Sequence, residues 1–195
     1  GAEALERAEQ LSERGVDVLV IDTAHGDSRA VLETLKQLKK KYSKIDIVAG
    51  NVSEADSAVR LAKAGADGIK VGQGPGSICT TRVVAGIGCP QVTAVYNCAR
   101  ALRGSGVPVC ADGGIEYSGD ATVALAAGAD SVMLGKMLSG ADEAPGKVFI
   151  KNGLRVKQYR GMGSLGAMQA NQAARERYAQ AKNGKDKLVP EGVEV

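Results

Sequence analysis

Residues 64–72 read AGADGIKVG, and residues 127–135 read AGADSVMLG. In each copy an Ala-rich amphipathic stretch stops at a glycine, and a short apolar segment follows that itself ends on a glycine. Glycine is a common stop signal for a helix, and an apolar run without polar alternation marks a strand covered on both faces. Outward from these two copies the same phrase recurs along the chain. Helices are expected over 2–14, 29–42, 53–64, 91–103 and 119–127, and strands over 16–23 (VDVLVIDT), 45–52 (IDIVAGNV), 68–72, 107–114 (VPVCADGG) and 131–138 (SVMLGKML). Ser53 is expected to cap its helix, with Asp56 at a capping-box position. The Lys39-Lys40-Lys41 run closes another helix, where cations complement the helix dipole.

Strand–helix alternation at this rhythm implies right-handed crossovers and a parallel sheet. A doubly wound sheet and a barrel share that pattern, and the position of the unusual residues separates them. Asp22, Asn51, Gly72, Asp112 and Gly135 all fall at the C-terminal ends of strands, where barrel enzymes keep their chemistry. No GxGxxG opens a helix after the first strand, so a dinucleotide-binding Rossmann unit is disfavoured. The expected fold class is therefore α/β, a (β/α)₈ TIM barrel of which residues 1–146 supply about five β/α units. Around Asn152-Gly153, the runs 148–150 and 156–159 predict a hairpin within 147–159. Residues 160–195, rich in Gly, Ala, Gln and Lys, are expected to form a mobile excursion, or flap, with one helical stretch. All 195 residues are read as one partial catalytic domain.

Composition narrows the function. Hydrophobic residues make up 44% and charged residues 24%, as in ordinary globular domains. Five Tyr, one Phe and no Trp argue against an aromatic-lined nucleic-acid surface, and a net charge of +3 with both signs interspersed argues against a polyanion patch. No apolar run approaches the roughly 18 residues of a membrane span. The opening GAEALE is acidic and helical, unlike a signal peptide. Cys79, Cys89, Cys98 and Cys110 form no CxxC pair, and with a single His no zinc site is expected. Reduced thiols and a cytoplasmic location are the expectation.

The segment 71–82, VGQGPGSICTTR, carries most of the chemistry. Gly72, Gly74 and Gly76 surround a proline immediately after a strand, so backbone N–H and C=O groups can approach a ligand or ion closely. Cys79 follows in the same loop. It is either a nucleophile, its thiol acidified by local positive potential, or a small buried hydrophobe. The other three cysteines lie on helix or strand positions and read as structural. Asp112 could accept hydrogen bonds from ribose hydroxyls or serve as a loop carboxylate.

GPGSICTTR, ADGGIEYSGD, EAPG, YRGMGSLGAM and KLVPEG stand in this order, and together they resemble the signature set of the inosine-5′-monophosphate (IMP) dehydrogenase family. The resemblance covers essentially the whole chain. It implies a TIM-barrel enzyme, usually a homotetramer, that converts IMP to xanthosine 5′-monophosphate (XMP) while reducing NAD. The regulatory CBS pair often inserted ahead of this region is not expected here. Cys79 would attack C2 of the purine to give a thioimidate, with Thr81 orienting or relaying a proton. Ser77, Asp112, Gly114, Gly135 and Tyr159 would hold the nucleotide's phosphate and ribose, and Gly161, Met162, Gly163 and Glu191 its base. Asp22, Asn51 and Gly72 would face the NAD cofactor. Carbonyls of Gly74, Gly76 and Cys79 would hold potassium, in a site the family completes with residues outside this chain. Arg177-Tyr178 would close over the intermediate and activate water.

Two positions depart from the family pattern. Lys136 replaces a usual Ser and is expected to meet the phosphate, and Ala179 stands where an aromatic residue is common. Guanosine-monophosphate (GMP) reductase shares the Cys loop, so a reductase is an alternative. A non-catalytic piece that keeps nucleotide or subunit contacts is another.

Overall fold

The computed structural model describes residues 2–195. It opens with α1 (Ala2–Ser12), β1 (Val18–Asp22), α2 (Arg29–Lys41), β2 (Asp46–Val52), α3 (Ala55–Lys63) and β3 (Gly68–Val71). Then follow α4 (Thr81–Val84), α5 (Gln91–Ala101), β4 (Val109–Asp112), α6 (Ser118–Ala126) and β5 (Ser131–Met133). β6 (Val148–Lys151) and β7 (Leu154–Lys157) form the expected antiparallel hairpin, followed by α7 (Leu165–Ala170) and α8 (Gln172–Arg177).

The five barrel-type strands pair in parallel in the order β1-β2-β3-β4-β5. A doubly wound sheet reverses its strand order at a switch point, and this sheet has no reversal. The long helices also pack side by side in sequence, α1 on α2, α3 on α5 and α5 on α6. One face of the sheet therefore carries the helices, with Leu19, Ile47, Ala49, Ile69, Val71, Val109 and Ala111 buried beneath them against Leu35, Leu61, Val95 and Cys98. The opposite face is the lumen of a barrel wall.

The repeated AGAD phrase has a structural explanation. Asp67 Oδ2 accepts a hydrogen bond from Ile47 N (2.7 Å), and Asp130 Oδ2 accepts one from Val109 N (2.8 Å). Each aspartate thus satisfies a backbone donor at the start of the preceding strand. Gly65 and Gly128 precede them with φ of +104° and +111°, a left-handed turn that suits glycine.

Several local expectations need correction. Ser53 does not cap its helix: the cap is Glu54, and Ser53 Oγ instead donates to Gln73 Oε1 at 2.5 Å. A side-chain partner on the Cys loop has outcompeted the helix terminus. The fifth strand ends at Met133 rather than Leu138, and residues 136–138 wind into a 3₁₀ turn after Gly135. The loop holding Cys79 contains the short helix α4, which had not been expected. The last segment holds two short helices, α7 and α8, capped by Ser164 and Asn171 through their side-chain oxygens. Its final residues are tied by hydrogen bonds to the Cys loop, as described below.

Candidate active site

Strand register places a row of residues across the lumen face. Asp22 is level with Gly50, Gly50 with Lys70, and Lys70 with Cys110. Asp112 follows two residues later on β4, so it shares that face. Lys70 is 3% exposed. Its ammonium donates to Asp112 Oδ2 and lies 3.0 Å from Asp22 Oδ1, joining carboxylates from two strands. Glycine at position 50 makes the row possible, because a Cβ there would stand 2.5 Å from the Lys70 carbonyl oxygen and 2.8 Å from its Cβ. Asn51 completes the cluster, its Nδ2 donating to Gly72 O (2.7 Å) and Asp112 Oδ2 (2.9 Å). Asn51 Oδ1 is buried and has no hydrogen-bond partner among the described residues.

The Cys loop lies over this row. Pro75 packs on Gly113, where a Cβ would come within 2.8 Å of its Cγ. Cys79 N donates to Gly76 O (3.0 Å), and the Cys79 thiol hydrogen bonds Thr81 Oγ1 (3.3 Å). Ser77 is exposed on the same loop. The end of the chain threads between this loop and residues 159–163. On one side Thr80 N donates to Glu191 O and Val193 N to Ile78 O (2.9 and 3.0 Å). On the other, Gly161 N donates to Val193 O, Glu191 N to Gly163 O, and Tyr159 and Val195 exchange backbone hydrogen bonds. Glu194 anchors the arrangement, its Oε1 accepting from Ser164 Oγ (3.0 Å) and Gly166 N (3.1 Å).

Arg177 and Tyr178 sit at the centre. Arg177 forms an ion pair with Asp22 Oδ2, and its carbonyl accepts from Ala24 N at 3.1 Å. Burial works against the guanidinium's charge, yet Asp22 and Tyr178 outweigh it, and its pKa stands above the ordinary value. A base role needs a neutral guanidinium, and this geometry favours the charged one. The Tyr178 ring covers Gly163, where a Cβ would lie 2.7 Å from Cζ. Burial pushes its hydroxyl pKa up, against the pull of Arg177. Asp22, expected toward a cofactor, here holds Arg177 and Lys70.

A cavity of about 540 Å³ is lined by Gly135, Tyr159, Gly161 and Met162, with Pro145 and Gly146 among its other walls, and Cys79, Asp112, Arg177 and Tyr178 do not line it. Four of the residues expected to hold a nucleotide thus meet in one place. The Tyr159 hydroxyl lies over Gly135, and burial, with Asp112 nearby, raises its pKa. Lys136 donates to Glu116 Oε2 at 2.6 Å, the lysine about half exposed and the glutamate partly buried. Sequence reasoning had not singled out Lys70, Glu116 or Glu194. Lys70 left a signal: it is a cation inside an apolar strand, at the place where the second repeat has Met133.

The family profile described as "IMP dehydrogenase / GMP reductase domain" matches residues 1–195. The chain belongs to the IMP dehydrogenase/GMP reductase family. It is 54% identical over 194 residues to the inosine-5′-monophosphate dehydrogenase of Aquifex aeolicus, covering 100% of this chain and 39% of that protein. It is 52% identical over 194 residues to the Escherichia coli K12 dehydrogenase, with the same coverage. Among solved structures, GMP reductase C318A from Trypanosoma brucei in complex with guanosine 5′-monophosphate superposes with a TM-score of 0.87 at 50% identity, over 98% of this chain and 38% of that one. The chain therefore spans about two fifths of the length of these relatives, and its five β/α units are part of the family's (β/α)₈ barrel. Among the described residues no helix is long and apolar enough to cross a membrane.

Proposed function

We propose that this chain is the nucleotide-binding and covalent-chemistry part of an enzyme that oxidises IMP to XMP with NAD as hydride acceptor. The observation that carries the reading is that the stretch 191–193 joins the loop of Cys79 and Thr81 to residues 161–163 by hydrogen bonds, and Tyr178 packs on Gly163 there while its neighbour Arg177 pairs with Asp22. Hydrolysis of a thioimidate needs a water held and oriented at the adduct, which hydride transfer alone does not.

Cys79 Sγ, having lost its proton to solvent, bonds as thiolate to C2 of the purine, C2 becomes tetrahedral, and the C2 hydride leaves to the acceptor that NAD would supply. The resulting C2=N thioimidate stays on Cys79 until water adds to C2, one of its protons passing to the ring nitrogen and the other to the departing sulfur, giving XMP and the free Cys79 thiol. Tyr159 and the Gly135 backbone hold the phosphate end, with Ser77, Gly114 and Lys136 beside them. Asp112 takes the ribose hydroxyls, and Gly161, Met162, Gly163 and Glu191 border the base. Thr81, in contact with the thiol, is placed to relay a proton. Arg177 contributes as a fixed cation that orients the water and Tyr178, since Asp22 keeps it charged.

NAD supplies the hydride acceptor when bound. The residues assigned to it fit in part: Asn51 keeps an orphaned buried Oδ1, and Asp22 becomes free for it only when Arg177 leaves. For potassium, the carbonyls of Gly74, Gly76 and Cys79 are hard oxygen donors of the right kind. Gly76 O already accepts from Cys79 N, leaving it one lone pair, so the shell needs further oxygens.

The test is turnover by a full-length protein carrying this sequence. NADH formation from IMP, with a nucleotide adduct mapped to Cys79 by rapid-quench mass spectrometry, is the expected result. A second reading, GMP reduction, draws on the T. brucei structure. Consumption of NADPH with GMP, without NADH formation from IMP, would replace the first reading with the second.

A further inference from the structure

We infer that Lys70 is a positioning residue that couples flap docking on Asp22 to Asp112, the carboxylate assigned to the ribose. The inference rests on the proposed function for its nucleotide half only. One ammonium, 3% exposed, is shared by Asp22 on β1 and Asp112 on β4. Asp22 gives its other oxygen to Arg177 of the flap. Asp112 takes a further hydrogen bond from Asn51. The charges therefore alternate along one line: Arg177 positive, Asp22 negative, Lys70 positive, Asp112 negative.

The arrangement has a consistent sequence logic. The second repeat builds the same strand with Met133 where Lys70 stands, so the fold does not require a cation at that place. β3 is buried along its whole length, where an unpartnered ammonium is costly. Gly50 removes the Cβ that would collide with Lys70. A buried cation bridging two strand-end carboxylates fixes both their positions and their charges. When Arg177 leaves Asp22, Lys70 is shared between two carboxylates without the flap's opposing charge, and it leans toward Asp22. When ribose hydroxyls engage Asp112, Lys70 is released toward Asp22 in the same way. Binding at either carboxylate is thus felt at the other through one side chain that touches neither substrate nor flap.

The test uses the full-length protein and its Lys70→Met and Lys70→Arg variants, Met being the residue the repeat itself tolerates. Hydrogen exchange without any ligand reads flap docking in peptides covering residues 172–180 and 20–24. In Lys70→Met, where Arg177 no longer competes for Asp22, these should exchange at least tenfold slower, while β2 and β3 peptides keep their protection, and Lys70→Arg, which keeps the charge, should stay close to wild type. Calorimetric titration with IMP reads the other half: affinity should fall at least tenfold in Lys70→Met. That loss should be non-additive with Asp112→Asn. Unchanged flap exchange in a Lys70→Met protein that keeps its β2 and β3 protection overturns the inference. So does loss of protection spread evenly over the barrel strands, which would make Lys70 a folding residue alone. If the wild-type protein binds no IMP, the functional reading fails, and the exchange measurement still decides whether Lys70 competes with the flap for Asp22.

Discussion

The guanidinium of Arg177, at the end of α8, lies on the carboxylate of Asp22, at the end of β1. Residues far apart in sequence are thereby joined at the mouth of the barrel, and a carboxylate expected to serve a cofactor serves the flap. Asp22→Asn keeps the shape and removes the charge. Asp22 is 41% exposed, so the loss is expected near the lower end of the roughly 1.5–3 kcal/mol typical of hydrogen bonds to charged groups. That corresponds to about a tenfold slower release of XMP from Cys79 in the full-length enzyme. Single-turnover kinetics would check it, and an unaltered rate would mean that Arg177 docks through its backbone contact with Ala24 instead.

Lys136 faces a competitor for its charge. Its ammonium already donates to Glu116, and both groups are open to solvent. A bound phosphate is doubly charged near neutral pH and should draw Lys136 away. Lys136→Ala is therefore expected to weaken IMP binding by about tenfold, and Glu116→Gln to strengthen it. Titrations at constant salt read both. Equal dissociation constants for wild type and Lys136→Ala would leave the lysine a surface partner of Glu116.

The four thiols should separate by reactivity. Burial pushes the Cys98 pKa up to about 12 and raises that of Cys110, which also feels Asp112. Iodoacetamide near pH 8.5 should label Cys79 and Cys89 long before Cys98, as peptide mapping would show. The linkage has a definite sign. A thiol raised in the folded state stabilises the fold fully below its ordinary pKa and progressively less as pH climbs toward about 12. Alkaline denaturation should therefore expose Cys98 to labelling in step with unfolding.

The repeat predicts a purely structural effect. Asp67→Ala would orphan the backbone N–H of the fully buried Ile47 and the Lys39 ammonium, which lies 2.6 Å from Asp67 Oδ2. Leaving a buried donor without its acceptor costs about 1–3 kcal/mol. Asp130→Ala would orphan Val109 N without an accompanying ion pair, so its cost should be smaller. Urea unfolding of the two variants would measure the difference, and equal losses would mean that the Lys39 pair adds nothing.

The barrel wall was legible because its signals are local. A glycine ends a helix and an apolar run follows, and the first four strands formed within a few residues of their expected places, while β5 began as expected and ended five residues early. The strand-end positions of Asp22, Asn51 and Asp112 also followed from the pattern alone. What escaped were relationships between distant segments. The Ser53–Gln73 bond displaced a helix cap that local chemistry favoured. The early end of β5 at Met133 reflects the turn at Gly135, over which the Tyr159 hydroxyl lies. Lys70 was overlooked because its meaning depends on two carboxylates that only the sheet register brings level with it.

Cys79 and Arg177 should act in separable steps of the full-length enzyme. In the proposed reaction Cys79 bonds to the purine before hydride leaves, because the tetrahedral adduct is what expels it. Cys79→Ala should therefore abolish both the first burst of NADH and steady turnover. Arg177 acts later in that proposed reaction, while water adds to C2, and its ion pair with Asp22 keeps it charged. Arg177→Ala should leave the burst nearly intact, slow steady turnover by orders of magnitude, and let the adduct accumulate on Cys79. Arg177→Lys discriminates further. A fixed cation can be partly replaced by an ammonium, so some hydrolysis should return, whereas a role requiring the planar, bidentate guanidinium would gain nothing. Rapid-quench mass analysis follows the adduct directly. If Arg177→Ala loses the burst together with turnover while the protein still binds IMP, Arg177 serves the first step, and its docking on Asp22 is part of the hydride-transfer geometry rather than of hydrolysis.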